Sequence, residues 1–230
     1  MKNLAIIPAR GGSKRIPRKN IKDFLGKPII AYSIETAIES GLFEEIMVST
    51  DDHEIAEIAI KCGAKVPFFR SEKTANDFAH IAEVIEEVLE TYKSENKQFE
   101  NFCCIFSTAP FIKKSRLKDG FELMLKNNFD SVFPVLKFSY PIQRALKIEN
   151  EKVSMILPEN FSKRSQDLMP TYHDSGQFYW MKTKEFYRQK RVFAENSGAI
   201  ILSDMEVQDI DTIEDWEVAE MKYRLLNKIL

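Results

Sequence analysis

The chain opens on an unbroken apolar run, Leu4, Ala5, Ile6 and Ile7, the pattern of a strand covered on both faces. Pro28 suits the first turn of a helix running to about residue 40, where Gly41 stops it. Residues 46–49 predict a second strand. Asp52 then caps a helix over residues 52–61, with Gly63 just beyond. Residues 66–69 predict a third strand that ends at Arg70. Ile81, Val84, Ile85, Val88, Leu89 and Tyr92 recur at helical spacing over three turns. Residues 102–106 predict a fourth strand, followed by Thr108. Ser115 caps a helix carrying Leu117, Phe121 and Met124 on one face, and residues 131–136 predict a fifth strand. Strand–helix alternation of this kind implies a parallel sheet with helices on both faces. Ligands of such sheets bind beyond the carboxyl ends of the strands. The polar clusters at residues 10–14, 49–52, 70 and 108 all lie at such ends and would converge there.

The rhythm breaks after Leu136. Residues 137–176 hold Pro141, Pro158 and Pro170, scattered aromatics and no long amphipathic period, as in an inserted lobe or a flap. Strands resume at residues 177–181 and 199–202. A closing helix over residues 212–227 carries Trp216, Ala219, Tyr223 and Leu226 on its apolar face. The expected organisation is one domain over residues 1–230, with a small lobe inserted at about 137–172.

Composition narrows this picture little. The 230 residues are 44% hydrophobic and 30% charged, as in an ordinary globular protein. The net charge of −2 gives no overall field that would favour nucleic acid or an anionic membrane. Cys62, Cys103 and Cys104 form no C-x-x-C pair, and two of them sit in an apolar run, so reduced thiols and a cytoplasmic location are expected. The amino-terminal apolar run is too short for a signal peptide, and no stretch approaches the ~20 residues that span a bilayer.

Charge is informative only locally. Between residues 10 and 19 stand Arg10, Lys14, Arg15, Arg18 and Lys19 with no acid among them, interleaved with Gly11, Gly12 and Ser13. A strand that empties into a glycine-rich, cation-rich loop can hold a polyphosphate: glycines let backbone N–H groups approach the anion, and Arg offers a fork matched to phosphate. The spacing fits neither the Walker loop nor the dinucleotide fingerprint. A basic, solvated turn is the plain rival. Near the other end, Asp209 and Asp211 would project to one face of an extended backbone, about 7 Å apart at Cα. Two carboxylates so placed can share Mg²⁺ where phosphates supply the other oxygens. A capping box formed by Asp211 and Glu214 explains one of them equally well.

The stretch from Ile7 to Lys14 with Asn20, then Ser49-Thr50-Asp51, Arg70, Asp77, the segment 164–168 and Asp209 to Thr212 together resemble the CMP-sialic acid synthetases, the cytidylyltransferases of nine-carbon acidic sugars. The resemblance runs through nearly the whole chain in the same order. Segments 138–144 and 172–180 are similar to the pseudaminic acid branch. Two departures fall on the sugar side. Where synthetases of N-acetylneuraminate have Gln-Pro-Thr-Ser-Pro, this chain has Phe106-Ser107-Thr108-Ala109-Pro110; where they have Arg-Arg-Gln, it has Arg164-Ser165-Gln166.

That resemblance implies a three-layer α/β/α nucleotidyltransferase (Rossmann-like) fold with a mainly parallel sheet and a small dimerisation lobe. It also implies the reaction of CTP with a nonulosonic acid to give the CMP-sugar and diphosphate, with Mg²⁺ as cofactor and a homodimer as the assembly. Arg10 and Lys14 are the expected catalytic cations, helped by the amides of Gly12 and Ser13. Ala9, Gly11, Asn20, Arg70, Asp77 and Thr108 complete the CTP site, and Asp209 and Asp211 hold the metal. Gln143, Arg144, Arg164, Gln166, His173, Asp174 and Gln177 are the sugar candidates. Surface ion pairs are the rival for the arginines. Tyr179 and Trp180 are expected in the core. N-acetylneuraminate, legionaminate or an eight-carbon ulosonate are alternative sugars; hexose-1-phosphate nucleotidyltransferases and a non-catalytic nucleotide-binding protein are more distant rivals. The residues name no general base.

Overall fold

A computed structural model of the chain describes residues 1–76 and 78–229. Strand β1 (Asn3–Pro8) is buried on both faces and leads through the cationic loop to a short hairpin, β2 (Asp23–Phe24) and β3 (Lys27–Pro28). Helix α1 (Ile29–Ser40) follows. Gly41, in the left-handed region, caps it, with Pro28 just before its first turn. Strand β4 (Glu45–Ser49) leads into α2 (His53–Lys61), whose N-cap Asp52 accepts a hydrogen bond from the Ile55 amide at 3.0 Å. The one-turn α3 (Glu72–Ala75) precedes α4 (Ile81–Ser94), β5 (Asn101–Ile105), α5 (Lys114–Lys126) and β6 (Ser131–Lys137). The lobe carries β7 (Leu146–Glu149) and β8 (Lys152–Met155). Strands β9 (Tyr172–Asp174) and β10 (Phe178–Lys182) return to the sheet, and α6 (Thr183–Gln189), β11 (Ser197–Leu202) and α7 (Ile213–Asn227) complete the chain.

The main sheet runs β11-β6-β10-β5-β1-β4. Pairs β1/β4, β1/β5 and β6/β11 are parallel, but β10 lies antiparallel between β5 and β6. Beside it, β9 pairs with residues 135–137 of β6, and the chain bends at Gly176, whose φ of +64° suits glycine, before entering β10. The sheet is therefore mixed. The expected third strand over residues 66–69 is reduced to one parallel bridge, Met47 to Lys65, because Pro67 has no N–H to donate to β4. Helix α5 starts two residues earlier than a Ser115 cap would set it, with Lys113, which makes no side-chain cap, at the N-cap position.

Alternate residues of the central strands feed two cores. Ala5, Ile7, Cys103, Ile105 and Trp180 pack with Ile30, Ile34 and Leu117 on one face; Leu4, Ile6, Cys104, Tyr179 and Met181 pack with Ile85, Val88, Leu89 and Phe186 on the other. The result is three layers, helix–sheet–helix. A third cluster joins Ile16, Phe24, Tyr32, Phe111 and Ile210 to Trp216 and Ala219 of α7, so the last helix clamps the far end of the cationic loop. Among the described residues, no helix is long and apolar enough to cross a membrane.

Candidate active site

The loop after β1 is tied to the backbone and side chains of its neighbours. The Ala9 amide donates to the carbonyl of Ser49, the last residue of β4, at 2.9 Å, and the Gly11 amide donates to Asp51 Oδ1, just beyond the strand, at 2.9 Å. Asn20 is buried. Its Nδ2 donates to the Arg10 carbonyl at 2.8 Å, and its Oδ1 accepts from Ser107 Oγ at 2.8 Å, just past β5. Arg70 donates through Nε to Ser49 Oγ (3.2 Å) and through Nη2 to the Ser49 carbonyl (2.8 Å). Burial lowers its guanidinium from the ordinary value. These ties surround a cleft of about 620 Å³ at the strand ends, a size suited to a small ligand.

Of the residues expected at the nucleotide, Arg10, Ser13, Lys14, Asn20, Arg70 and Thr108 line this cleft together. Ala9 is buried beneath it, Gly11 faces Asp52, and Gly12 has no neighbour within 4 Å of where a Cβ would stand. Asp77 lies outside the described residues. The Ser13 amide, expected to meet phosphate, donates to the Gly11 carbonyl at 3.0 Å, so the loop closes a tight turn on itself. Several lining residues escaped the sequence. Phe78, Ala79, Ile81 and Val84 bring the start of α4 across the cleft, and Ser107 joins Thr108. The apolar period of α4 was visible, but which of its residues lean past the core was not.

Arg15 and Lys19 also line the cleft and reach its rim, where Asp211 lies 2.7 Å from Arg15 Nη2 and 3.6 Å from Lys19 Nζ. Lys19 also donates to the Ile210 carbonyl at 2.6 Å. The capping alternative for Asp211 does not hold: the box at the start of α7 is Thr212 with Asp215, whose carboxylate takes the Asp211 and Thr212 amides at 3.0 and 2.8 Å. Ile210 is buried while Asp209 and Asp211 are turned outward, the alternation of an extended backbone. Among the described residues, no three His, Cys, Asp or Glu side chains are grouped as a metal cage. The donors fit Mg²⁺ in kind, as two hard carboxylates that leave positions for water and phosphate.

Asp209 opens into a neighbouring recess of about 350 Å³ with His173, Asp174, Ser175, Gly176, Gln208 and Lys222. Asp174 accepts from the Gly176 amide at 3.0 Å and from the Tyr179 hydroxyl. Burial and that carboxylate push the phenol well above its usual range. His173 lies against Phe138, ring centroids 4.8 Å apart. Of the sugar candidates, then, the structure gathers His173 and Asp174 in this recess with Asp209. It does not bring the others there. Gln177 is 3% exposed and donates to the Glu206 carbonyl at 2.5 Å, tying β10 to the segment before α7. Gln143 donates to the Met169 carbonyl at 2.9 Å, and Arg144 reaches Ser165 Oγ at 3.5 Å. Arg164 forks onto Asp167 at 2.7 and 3.1 Å, and Gln166 lines a separate groove within the lobe with Phe138 and Pro141.

The family model for cytidylyltransferases matches residues 4–227. The chain is 46% identical over 226 residues to a pseudaminic acid cytidylyltransferase of Campylobacter jejuni, covering 98% of this chain and 97% of the relative. It is 33% identical to a CMP-N,N'-diacetyllegionaminic acid synthase of Legionella pneumophila, with both chains covered in full. A solved CMP-2-keto-3-deoxy-manno-octonic acid synthetase in complex with CTP superposes with a TM-score of 0.73 over the whole of both chains at 18% identity, which establishes the shared fold. The chain belongs to the cytidylyltransferase family.

Proposed function

We propose that this cytidylyltransferase activates pseudaminic acid: CTP and the sugar give CMP-pseudaminic acid and diphosphate. The observation that carries this reading is the cation-lined cleft at the strand ends, in a chain 46% identical to the Campylobacter enzyme of that name. The anomeric hydroxyl attacks the α-phosphorus, a new P–O bond forms, the bond to the β-phosphate oxygen breaks, and the hydroxyl proton is released to solvent. Arg10 and Lys14 hold the triphosphate and offset charge growing on the diphosphate. Arg70, Ser107 and Thr108 border the same space on its β4 and β5 sides. His173 and Asp174 wall the neighbouring recess, where the sugar sits. Asp209 and Asp211 would hold Mg²⁺, which would supply charge neutralisation at the phosphates.

The assembly is a homodimer through the lobe, which exposes Tyr140, Ile148, Val153, Phe161 and Met169. Such a cluster of exposed apolar side chains is typical of a contact surface. The location is cytoplasmic, in keeping with cysteines that are all free, two of them buried.

Incubating the protein with CTP, Mg²⁺ and a panel of pseudaminate, legionaminate, N-acetylneuraminate and an eight-carbon ulosonate, with diphosphate release as the readout, tests the assignment. Turnover is expected with pseudaminate; release only with another sugar moves the substrate and keeps the chemistry. Lys14→Ala is expected to lose on the order of 10²-fold in kcat/KM.

A further inference from the structure

The phosphate loop is seated on acids. At the carboxyl end of β4, Asp51 takes the Gly11 amide, and Asp52 lies so close beneath Gly11 that a Cβ there would stand 2.7 Å from Asp52 Oδ2. A carboxylate in contact with the backbone of a triphosphate loop repels the ligand unless its charge is cancelled. Asp52 has another duty that keeps it in place, since it caps α2 through the Ile55 amide.

Arg18 meets that charge. Its guanidinium grips both oxygens of Asp52, one at 2.9 Å, and also reaches Glu54. The fork matches the carboxylate as a point charge would not. Arg18 is held in the left-handed region, φ 56° and ψ 28°, and its carbonyl accepts from the amides of Ile21 and Lys22 at 2.9 Å each. That bent backbone turns the chain so that Arg18, though part of the cation run, faces the acids of α2. It is absent from the lining of the cleft that Arg10 and Lys14 border. Arg18 holds the Asp52 carboxyl down at about 2, so the pair stays fully ionised across the range in which enzymes work.

We propose that Arg18 is a positioning residue for the nucleotide: by neutralising Asp52 it lets an acidic side chain serve as the seat of Gly11 without repelling the triphosphate above it. The inference rests on the reading of the cleft as the CTP site. It divides the loop cations by task. Arg10 and Lys14 face the ligand, and Arg18 faces the floor.

The experiment measures KM for CTP and kcat by diphosphate release, with calorimetric CTP binding and thermal melting alongside, for Arg18→Met, Asp52→Asn and the double variant. Arg18→Met is expected to raise KM about tenfold, less so at high salt, with kcat within about threefold. Asp52→Asn keeps both cap and seat and is expected to leave KM within about threefold of wild type or lower it. The double variant is expected to return KM to within about threefold of wild type, because the Asp52 charge that Arg18 offsets is gone. A double variant as weak as Arg18→Met, or an unchanged KM in Arg18→Met, overturns the proposal. So does a tenfold rise in Asp52→Asn, which remains readable if Arg18→Met fails to fold. Wild-type protein that binds no CTP would overturn the reading of the cleft and this inference with it; normal wild-type binding with an unmoved Arg18→Met overturns the inference alone.

Discussion

Gly11 and Gly12 are adjacent, and only one of them is pressed. A methyl group on Gly11 would meet Asp52 Oδ2 at 2.7 Å and Asp52 Cβ at 3.0 Å, and Asp52 cannot swing aside without breaking its cap and its ion pair. Gly12 has open space on the corresponding side. Gly11→Ala is therefore expected to weaken CTP binding at least tenfold, and Gly12→Ala to bind within about threefold of wild type, both measured by calorimetry. Equal behaviour of the two variants would show that the seat is not what constrains the loop. The sequence marked both glycines but could not rank them, because the difference is made by Asp52, a side chain remote in the sequence. Asn20 teaches the same lesson. Resemblance put it near the nucleotide, and the structure shows both ends of its amide committed to the Arg10 carbonyl and Ser107, so it acts by tying the loop to the end of β5.

Elements were legible where one periodicity held for several turns. The α4 pattern and the both-face apolar runs of β1 and β5 could be read directly, since burial alone decides them. Pairing partners could not. β10 looks like any other buried strand, and only its return from the lobe makes it antiparallel between β5 and β6. The hairpin of β7 and β8 turns through Asn150 and Glu151, both at positive φ, without the Asn-Gly signal that usually announces such a turn. Residues 66–69 read as a strand because they are apolar, yet they run beside β4 held by few hydrogen bonds. Part of what fixes that edge is Glu45, the first residue of β4. It is 5% exposed and joined to Lys65, Lys97 and the Tyr92 hydroxyl. Burial would raise its pKa, but these three partners outweigh burial and bring it to about 2. A depressed carboxyl stabilises the fold above its unfolded value, and that stability fades as pH falls through about 4 towards 2. Glu45→Gln is expected to cost on the order of 2 kcal/mol near neutral pH and to flatten the acid limb of stability against pH. Urea titrations across pH 2–7 read both effects, and an unchanged acid limb would remove Glu45 from the account.

At the scale of the molecule, the sheet and its cleft are one unit and the lobe is another kind of surface. Ile148 and Val153 face each other across β7 and β8 at 73% and 60% exposure, so charge can be placed there without touching either core. A variant carrying Ile148→Glu and Val153→Glu is expected to run as a monomer in light scattering with its melting temperature lowered only by the loss of assembly. A dimer mass retained by this variant would place the contact elsewhere. The order of strands has a further consequence for how the chain is made. β5 and β6 are never neighbours, because β10 lies between them and is synthesised more than forty residues after β6 ends. A nascent chain that has emerged only through β6 presents raw strand edges on both sides of a gap it cannot yet fill, the situation in which strands pair with the wrong partner. The last piece of the sheet arrives only after the lobe has passed, so the half built on β1, β4 and β5 is not a detachable module: it becomes a finished surface in the same event that brings the lobe home.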